Sequence, residues 1–309
     1  MSNLSYKVVC VLSVLYLAIL SAYLLWHRMW FSPDQFFAAA LVAALILGRF
    51  RQFLQDWISP IALFLGYESL RDFVPKLTTQ AHALPMIKFD ELFFGGTVPT
   101  VTLQKLLFAG NHFQWYDYLA TLLYETHFVF FLLVGFILWL SRKEIFKEYY
   151  LGILILSYMA FVTYLLFPTV PPWMAAQQGF IPPILNIASK VSVNFPQAMS
   201  LPTIYSFFGA NLVAAVPSLH AAYPFLTLLF LTNRFRAWGL LLLPYVAGVW
   251  FSIIYLGEHY FFDIAAGVLY AFIAFYLVIK RQQIWARLPL PAFLAGERKS
   301  PSRRREVKN

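Results

Sequence analysis

Apolar residues in this chain run in long unbroken blocks instead of alternating with polar ones. Eight blocks stand out, at about 6–26, 33–48, 53–70, 115–140, 150–167, 218–232, 236–256 and 259–280. A helix rises 1.5 Å per residue, so about 20 apolar residues cross the ~30 Å hydrocarbon core of a bilayer. No two-residue alternation marks barrel strands and no self-similar repeat is visible. The pattern predicts an all-α fold, a polytopic helical membrane bundle of about six to eight transmembrane helices. The second block is short, and Asp56 and Glu68 interrupt the third. Lys7 lies at the start of the first block and no small-residue cleavage site follows it, so it reads as a retained anchor. Residues 1–280 are expected to form one transmembrane domain and 281–309 a basic, disordered tail.

Composition agrees and adds direction. The chain is 61% hydrophobic and 12% charged, with mean hydropathy +0.67, which excludes an ordinary soluble domain. Its single cysteine, Cys10, lies inside the first block, so no internal disulfide can form and redox compartment is not indicated. A net charge of +9 could point to nucleic acid, but its distribution argues against that partner. Nine Lys and Arg fall between Lys280 and the end, against Glu297 and Glu306, in a stretch broken by Pro289, Pro291 and Pro301. Such a tail faces an anionic cytoplasmic leaflet or simply solubilises the chain end.

The basic loops set an expected orientation. Arg142, Lys143 and Lys147 fall between the fourth and fifth blocks, Arg234 and Arg236 between the sixth and seventh, and Arg49 and Arg51 between the second and third. The positive-inside bias makes these cytoplasmic, together with both termini. The long segments 71–114 and 168–217 are then external. Arg28 and the bases of the first long segment, Arg71, Lys76, Lys88 and Lys105, run against this scheme.

Ionisable residues inside apolar blocks cost about 2.5–3.5 kcal/mol each on insertion scales and default to a functional reading. Two groups qualify. Pro217-Ser218-Leu219-His220 opens the sixth block, and His259-Tyr260-Phe261-Phe262-Asp263 opens the eighth. With the expected alternation of spans, both histidines lie at the outer interface, each in the first turn of a helix. Four residues on a helix place His259 and Asp263 on one face, so the carboxylate can hold one ring nitrogen and leave the other to attack or ligate. Unpaired N–H groups at two helix starts favour an anion between them, and phosphoryl transfer is the first chemistry to consider. The same residues with Glu258 could instead ligate zinc or iron, or His259 and Asp263 could brace a helix. His127, within the fourth block, either lines the same cavity or bonds a neighbouring helix.

These residues resemble a known family. PSLH, followed about forty residues later by H-Y-F-F-D, looks like the second and third signature motifs of the type-2 phosphatidic acid phosphatase superfamily. The closer resemblance is to its inositol phosphorylceramide synthase-like branch. Three further stretches carry it: Tyr67-Glu68-Ser69-Leu70-Arg71, the run from Asp90 through Gly95-Gly96, and Phe167-Pro168-Thr169-Val170-Pro171-Pro172-Trp173. The resemblance implies His259 as nucleophile forming a phosphohistidine, Asp263 as its orienter and His220 as the acid that protonates the departing alcohol. It implies membrane lipid substrates and neither metal nor cofactor. Leu219 stands where the family has glycine, and Ile253 follows Ser252 where it has arginine. The cationic first motif is missing, so Arg71 is expected to replace it. Fewer cations favour a singly charged phosphodiester over a phosphomonoester, and hence a transferase over a phosphatase. Ser218, through helix-start N–H groups, Tyr255 and His127 complete the expected substrate contacts. Two other classes compete: a lipid transporter or scramblase, which predicts repeats and broken helices at midplane, and a structural subunit indifferent to its histidines.

Overall fold

The computed structural model describes residues 33–77, 80–108, 110, 112–193 and 213–287. Seven of the eight expected spans are helices there, and the first, 6–26, lies outside the described residues with the tail beyond 287. In chain order the helices are α1 (Pro33–Ile46), α2 (Phe50–Leu77), α3 (Leu84–Phe93), α4 (Pro99–Leu107), α5 (Trp115–Ser141), α6 (Lys143–Leu166), α7 (Pro172–Gln177), α8 (Ile187–Val193), α9 (Leu219–Phe235), α10 (Leu243–Tyr255) and α11 (Phe261–Arg287). A 3₁₀ segment, Arg236–Leu242, joins α9 to α10. The chain enters it through Arg236 at φ 54° and turns tightly, because a Cβ on Gly239 would lie 2.3 Å from the Thr232 nitrogen.

By length and apolarity three stretches can cross a membrane: Lys143–Leu166, Leu219–Tyr255 and Phe261–Arg281. Trp115–Ser141 is a fourth if its halves, bent by 50° around Phe128, count as one span. The described residues therefore supply three or four clear spans against the six to eight expected. The reason lies in length and polarity. α1 has 14 residues, about 21 Å of helix. α2 is long enough at 28 residues but carries Asp56, Glu68, Arg71 and the internal prolines Pro60 and Pro75.

Helix α9 is the centre of the bundle and packs on α5, α6, α10 and α11. Lipid is as apolar as leucine, so helices here associate through close packing and interhelical hydrogen bonds. Gly152 of α6 meets the ring of Phe230, and Trp57 packs among Phe53, Phe146 and Tyr150. Tyr149 pairs with Thr227 at 2.8 Å, Ser157 with Tyr223 at 2.7 Å and Thr163 with Tyr270 at 2.7 Å. Each such bond contributes about 0.6–2 kcal/mol inside a bilayer.

The two ends of the bundle differ in chemistry. At one end Glu148 binds Arg234 and Arg281, Asp56 binds Lys143 and the Trp139 indole, and Arg49 reaches the Leu140 carbonyl. Residues from four of the expected cytoplasmic segments thus meet at one end. The expected external segments meet at the other: His82, Thr169 and Ala214 form two short parallel bridges.

Candidate active site

Both signature segments end up at that second end, because α9 and α11 run parallel with α10 returning between them. Ser218 caps α9, its Oγ accepting the Ala221 N–H at 3.3 Å. Its own N–H donates to the Asp263 carbonyl at 3.0 Å, which locks the start of α9 to the first turn of α11. A fully buried Tyr164 hydroxyl donates to the Pro217 carbonyl at 2.8 Å, and Thr169 Oγ1 accepts the Val216 N–H at 2.9 Å. Gly267 allows α11 to come this close: a Cβ there would sit 2.5 Å from the Ser218 carbonyl oxygen.

His259 departs from its expected place. α11 begins at Phe261, so His259 stands two residues ahead of the helix, in the turn after Gly257. Gly257 has φ +87°, and a Cβ on it would meet the Leu185 carbonyl at 2.9 Å. Asp263 reaches back over this turn. Its Oδ2 accepts the Tyr260 N–H at 3.0 Å and lies 3.0 Å from His259 Nδ1. The orientation expected from helical spacing is achieved, by a side-chain cap instead of a helix face. With His259 Nδ1–H donating to the carboxylate, Nε2 carries the lone pair and accepts from His220 Nδ1, 3.1 Å away. Asp263, His259 and His220 form one chain of hydrogen bonds. His259 and Asp263 are 5% and 0% exposed.

His220 is stacked on Tyr124, with ring centroids 4.6 Å apart, and its ring centroid lies 3.7 Å from that of His127. His127 Nδ1 bonds the Tyr124 carbonyl at 2.6 Å, fixing that ring as well. A cleft of about 430 Å³, counting its open mouth, is lined by His127, His220, His259, Tyr67, Glu68, Arg71, Tyr164 and Tyr223, with Phe64, Phe131, Leu219 and Ala214 supplying apolar wall. Arg71 donates to Glu68 at 2.7 Å. Among the described residues no three His, Cys, Asp or Glu side chains converge as a metal-ligand set.

His220, His259, Asp263, Arg71 and His127 are therefore brought together. Tyr255 is not: it is absent from the cleft lining, and its buried hydroxyl donates to Asp117 of α5. The same turn of α10 supports the site through its backbone instead, the Ile253 carbonyl accepting the His259 N–H at 3.1 Å. Ser218 touches the site only as a cap, with its N–H committed to Asp263 and its hydroxyl to Ala221.

Sequence reasoning missed Tyr67, Glu68, Tyr164 and Tyr223 as cleft residues, although Tyr67-Glu68 stood in a stretch already marked by resemblance. Glu258, considered from the sequence only as a possible metal ligand, lies half-buried in the turn just before His259. Burial raises the Glu258 carboxyl above its ordinary range, offset in part by the His259 charge and hydrogen bonds from Asn186 and Trp173. The three stretches of resemblance now have positions. One supplies Tyr67, Glu68 and Arg71 to the cleft; Trp173 donates its N–H to the Gly257 carbonyl at 3.1 Å. Asp90 accepts from the backbone at the start of α11.

Fold and site together define a helical membrane protein with a histidine–histidine–carboxylate chain where two parallel helices begin. The chain belongs to the PAP2 superfamily, whose family model matches residues 99–277. It is 32% identical over 168 residues to the phosphoinositol dihydroceramide synthase of Bacteroides thetaiotaomicron, covering 52% of this chain and 55% of that one. It is 31% identical over 113 residues to the inositol phosphorylceramide synthase catalytic subunit aur1 of Schizosaccharomyces pombe, covering 35% and 27%. The matched region spans about half the length of the first relative and about a quarter of the second. No solved structure matches.

Proposed function

We propose that this protein is an integral-membrane phosphotransferase that moves a phosphate-containing lipid headgroup to an alcohol through a phosphohistidine on His259. The observation that carries the reading is the Asp263–His259–His220 chain opening onto a cleft that holds Arg71. Neutral His259 attacks phosphorus with Nε2 while Asp263 stabilises the imidazolium that forms. The Nε2 lone pair is engaged by His220 in the resting site, so the phosphate displaces that contact on entry. His220, protonated, gives its proton to the departing alcohol and then takes one from the incoming acceptor. Arg71 and His127 contact the phosphate oxygens, Arg71 in place of the family's missing first-motif cations. This chemistry uses no metal and no cofactor.

Both similar curated proteins are synthases of inositol phosphorylceramide type, which supports a polyol phosphate as the transferred group and a ceramide-like lipid as one partner. Arg71 is the one Lys or Arg lining the cleft among the described residues, which favours a singly charged phosphodiester donor. The charge distribution of the loops supports a site at the extracytoplasmic or lumenal face with cytoplasmic termini.

The test is to incubate purified protein with donor lipids labelled in the phosphate, with and without ceramide, diacylglycerol or polyol acceptors. Label appearing in a new phosphodiester supports transfer; release only as a water-soluble phosphate ester makes water the acceptor and overturns it. Acid-labile label on His259, lost in His259→Gln, is the expected intermediate. Replacing His220 should hurt poor alcohol leaving groups most and spare those of low pKa. Equal loss of all substrates together with inhibition by chelators would refute the acid role.

A further inference from the structure

Asp90 belongs to α3, far from both signature segments in sequence, yet it is fully buried against the start of α11. Its Oδ2 accepts the Phe261 N–H at 2.9 Å and its Oδ1 the Phe262 N–H at 3.0 Å. These are first-turn donors that no helical carbonyl can satisfy. The next residue is Asp263, whose carboxylate holds Tyr260 and His259 in the turn just before. One carboxylate thus grips the helix start from outside, and a second grips the histidine turn from within. α3 is the element that carries the first grip, and it packs directly on α11.

We infer that Asp90 is a positioning residue of the active site, which by holding the Phe261 and Phe262 amides sets where Asp263 places His259. The inference rests on the proposed role of His259 as nucleophile. Asp90 makes no contact with the cleft, so it acts on the rate through the α11 start and not on lipid binding.

The charged group that acts on Asp90 is Asp263 of α11, and burial together with the two carboxylates raises the Tyr260 hydroxyl in the preceding turn, which stays neutral. Burial raises the Asp90 carboxyl to about 6, against the lowering effect of the two amide bonds; the Asp263 charge adds to the rise. Only the ionised form accepts on both oxygens, since a protonated one turns an O–H toward an N–H. The acid side of the activity profile should therefore contain Asp90 besides the histidine that must be unprotonated to attack. The stability effect has the opposite sign. A folded-state value above the ordinary 3.8 means that folding takes up a proton, so Asp90 favours the fold at low pH and this contribution is lost as pH rises from 3.8 to about 6. An acid limb in activity at that site cannot be ascribed to Asp90-linked unfolding.

Asp90→Asn keeps one acceptor and sets an N–H against the other amide; Asp90→Ala removes both. For Asp90→Asn we expect kcat to fall roughly 10- to 100-fold, the scale of a small misplacement of a reacting group, with KM for the donor lipid within about twofold. Wild type should show an acid limb steeper than one proton, and Asp90→Asn a one-proton limb. An unchanged kcat in folded Asp90→Asn, or a loss confined to KM, overturns the inference. Should that variant not fold, Asp90→Ser, which keeps a single acceptor, takes its place, and an unchanged kcat there overturns the inference. The outcome is separable from the parent reading: phosphohistidine trapped on His259 in wild type tests the nucleophile without reference to Asp90.

Discussion

Gly267→Ala probes the contact on which the site depends. The added Cβ would lie 2.5 Å from the Ser218 carbonyl oxygen, a backbone atom that cannot rotate away. Ordinary contact needs about 3.5 Å, so α9 and α11 must separate by roughly 1 Å. That carbonyl belongs to the segment whose N–H bonds Asp263, and His220 lies two residues on. The His220–His259 bond is 3.1 Å, so an extra ångström carries it past hydrogen-bond range. A displacement of this size at reacting groups costs about 10²-fold in rate. The strain of an overpacked backbone adds about 1–3 kcal/mol of instability. Headgroup transfer from a fluorescent donor in detergent micelles, with thermal unfolding of the same preparation, reads both. Gly248→Ala is the control, since its Cβ would meet only the tip of the Leu123 side chain at 3.1 Å. Full activity and unchanged melting of Gly267→Ala would refute the close-approach argument, as would equal damage from Gly248→Ala.

Asp263→Asn should fold and bind lipid but lose roughly 10³- to 10⁴-fold in kcat, because the amide favours the wrong His259 tautomer; a loss below tenfold would show that the carboxylate does not orient the ring. Arg71→Gln leaves Glu68, 5% exposed, without its cation and should destabilise by about 3–5 kcal/mol. The double variant Glu68→Gln with Arg71→Gln should regain the stability but not the activity, measured by melting and by transfer; recovery of both would make Arg71 purely structural. For topology, in a Cys10→Ser background a cysteine near Lys190 should label from outside intact cells and one beside Lys147 should not, and the reverse pattern would invert the site.

Helix-forming blocks, their order and the ends they share were legible in the chain because lipid imposes one rule on every span: backbone groups must be satisfied within it. Ionisable residues in such blocks are expensive, so His220, His259 and Asp263 stood out without a structure. What spacing could not supply was the local backbone at His259, where a glycine at positive φ and a reaching carboxylate replace the expected helical turn. Nor could it place Tyr255, since a tyrosine near a helix end can face a cleft or another helix, and here Asp117 of α5 takes its hydroxyl. Tyr164 and above all Asp90 act across 53 and 171 residues of chain. No local pattern encodes such partnerships; they exist only once α3, α6 and α9 are packed around the start of α11, and that packing is what turns two histidine motifs into one site.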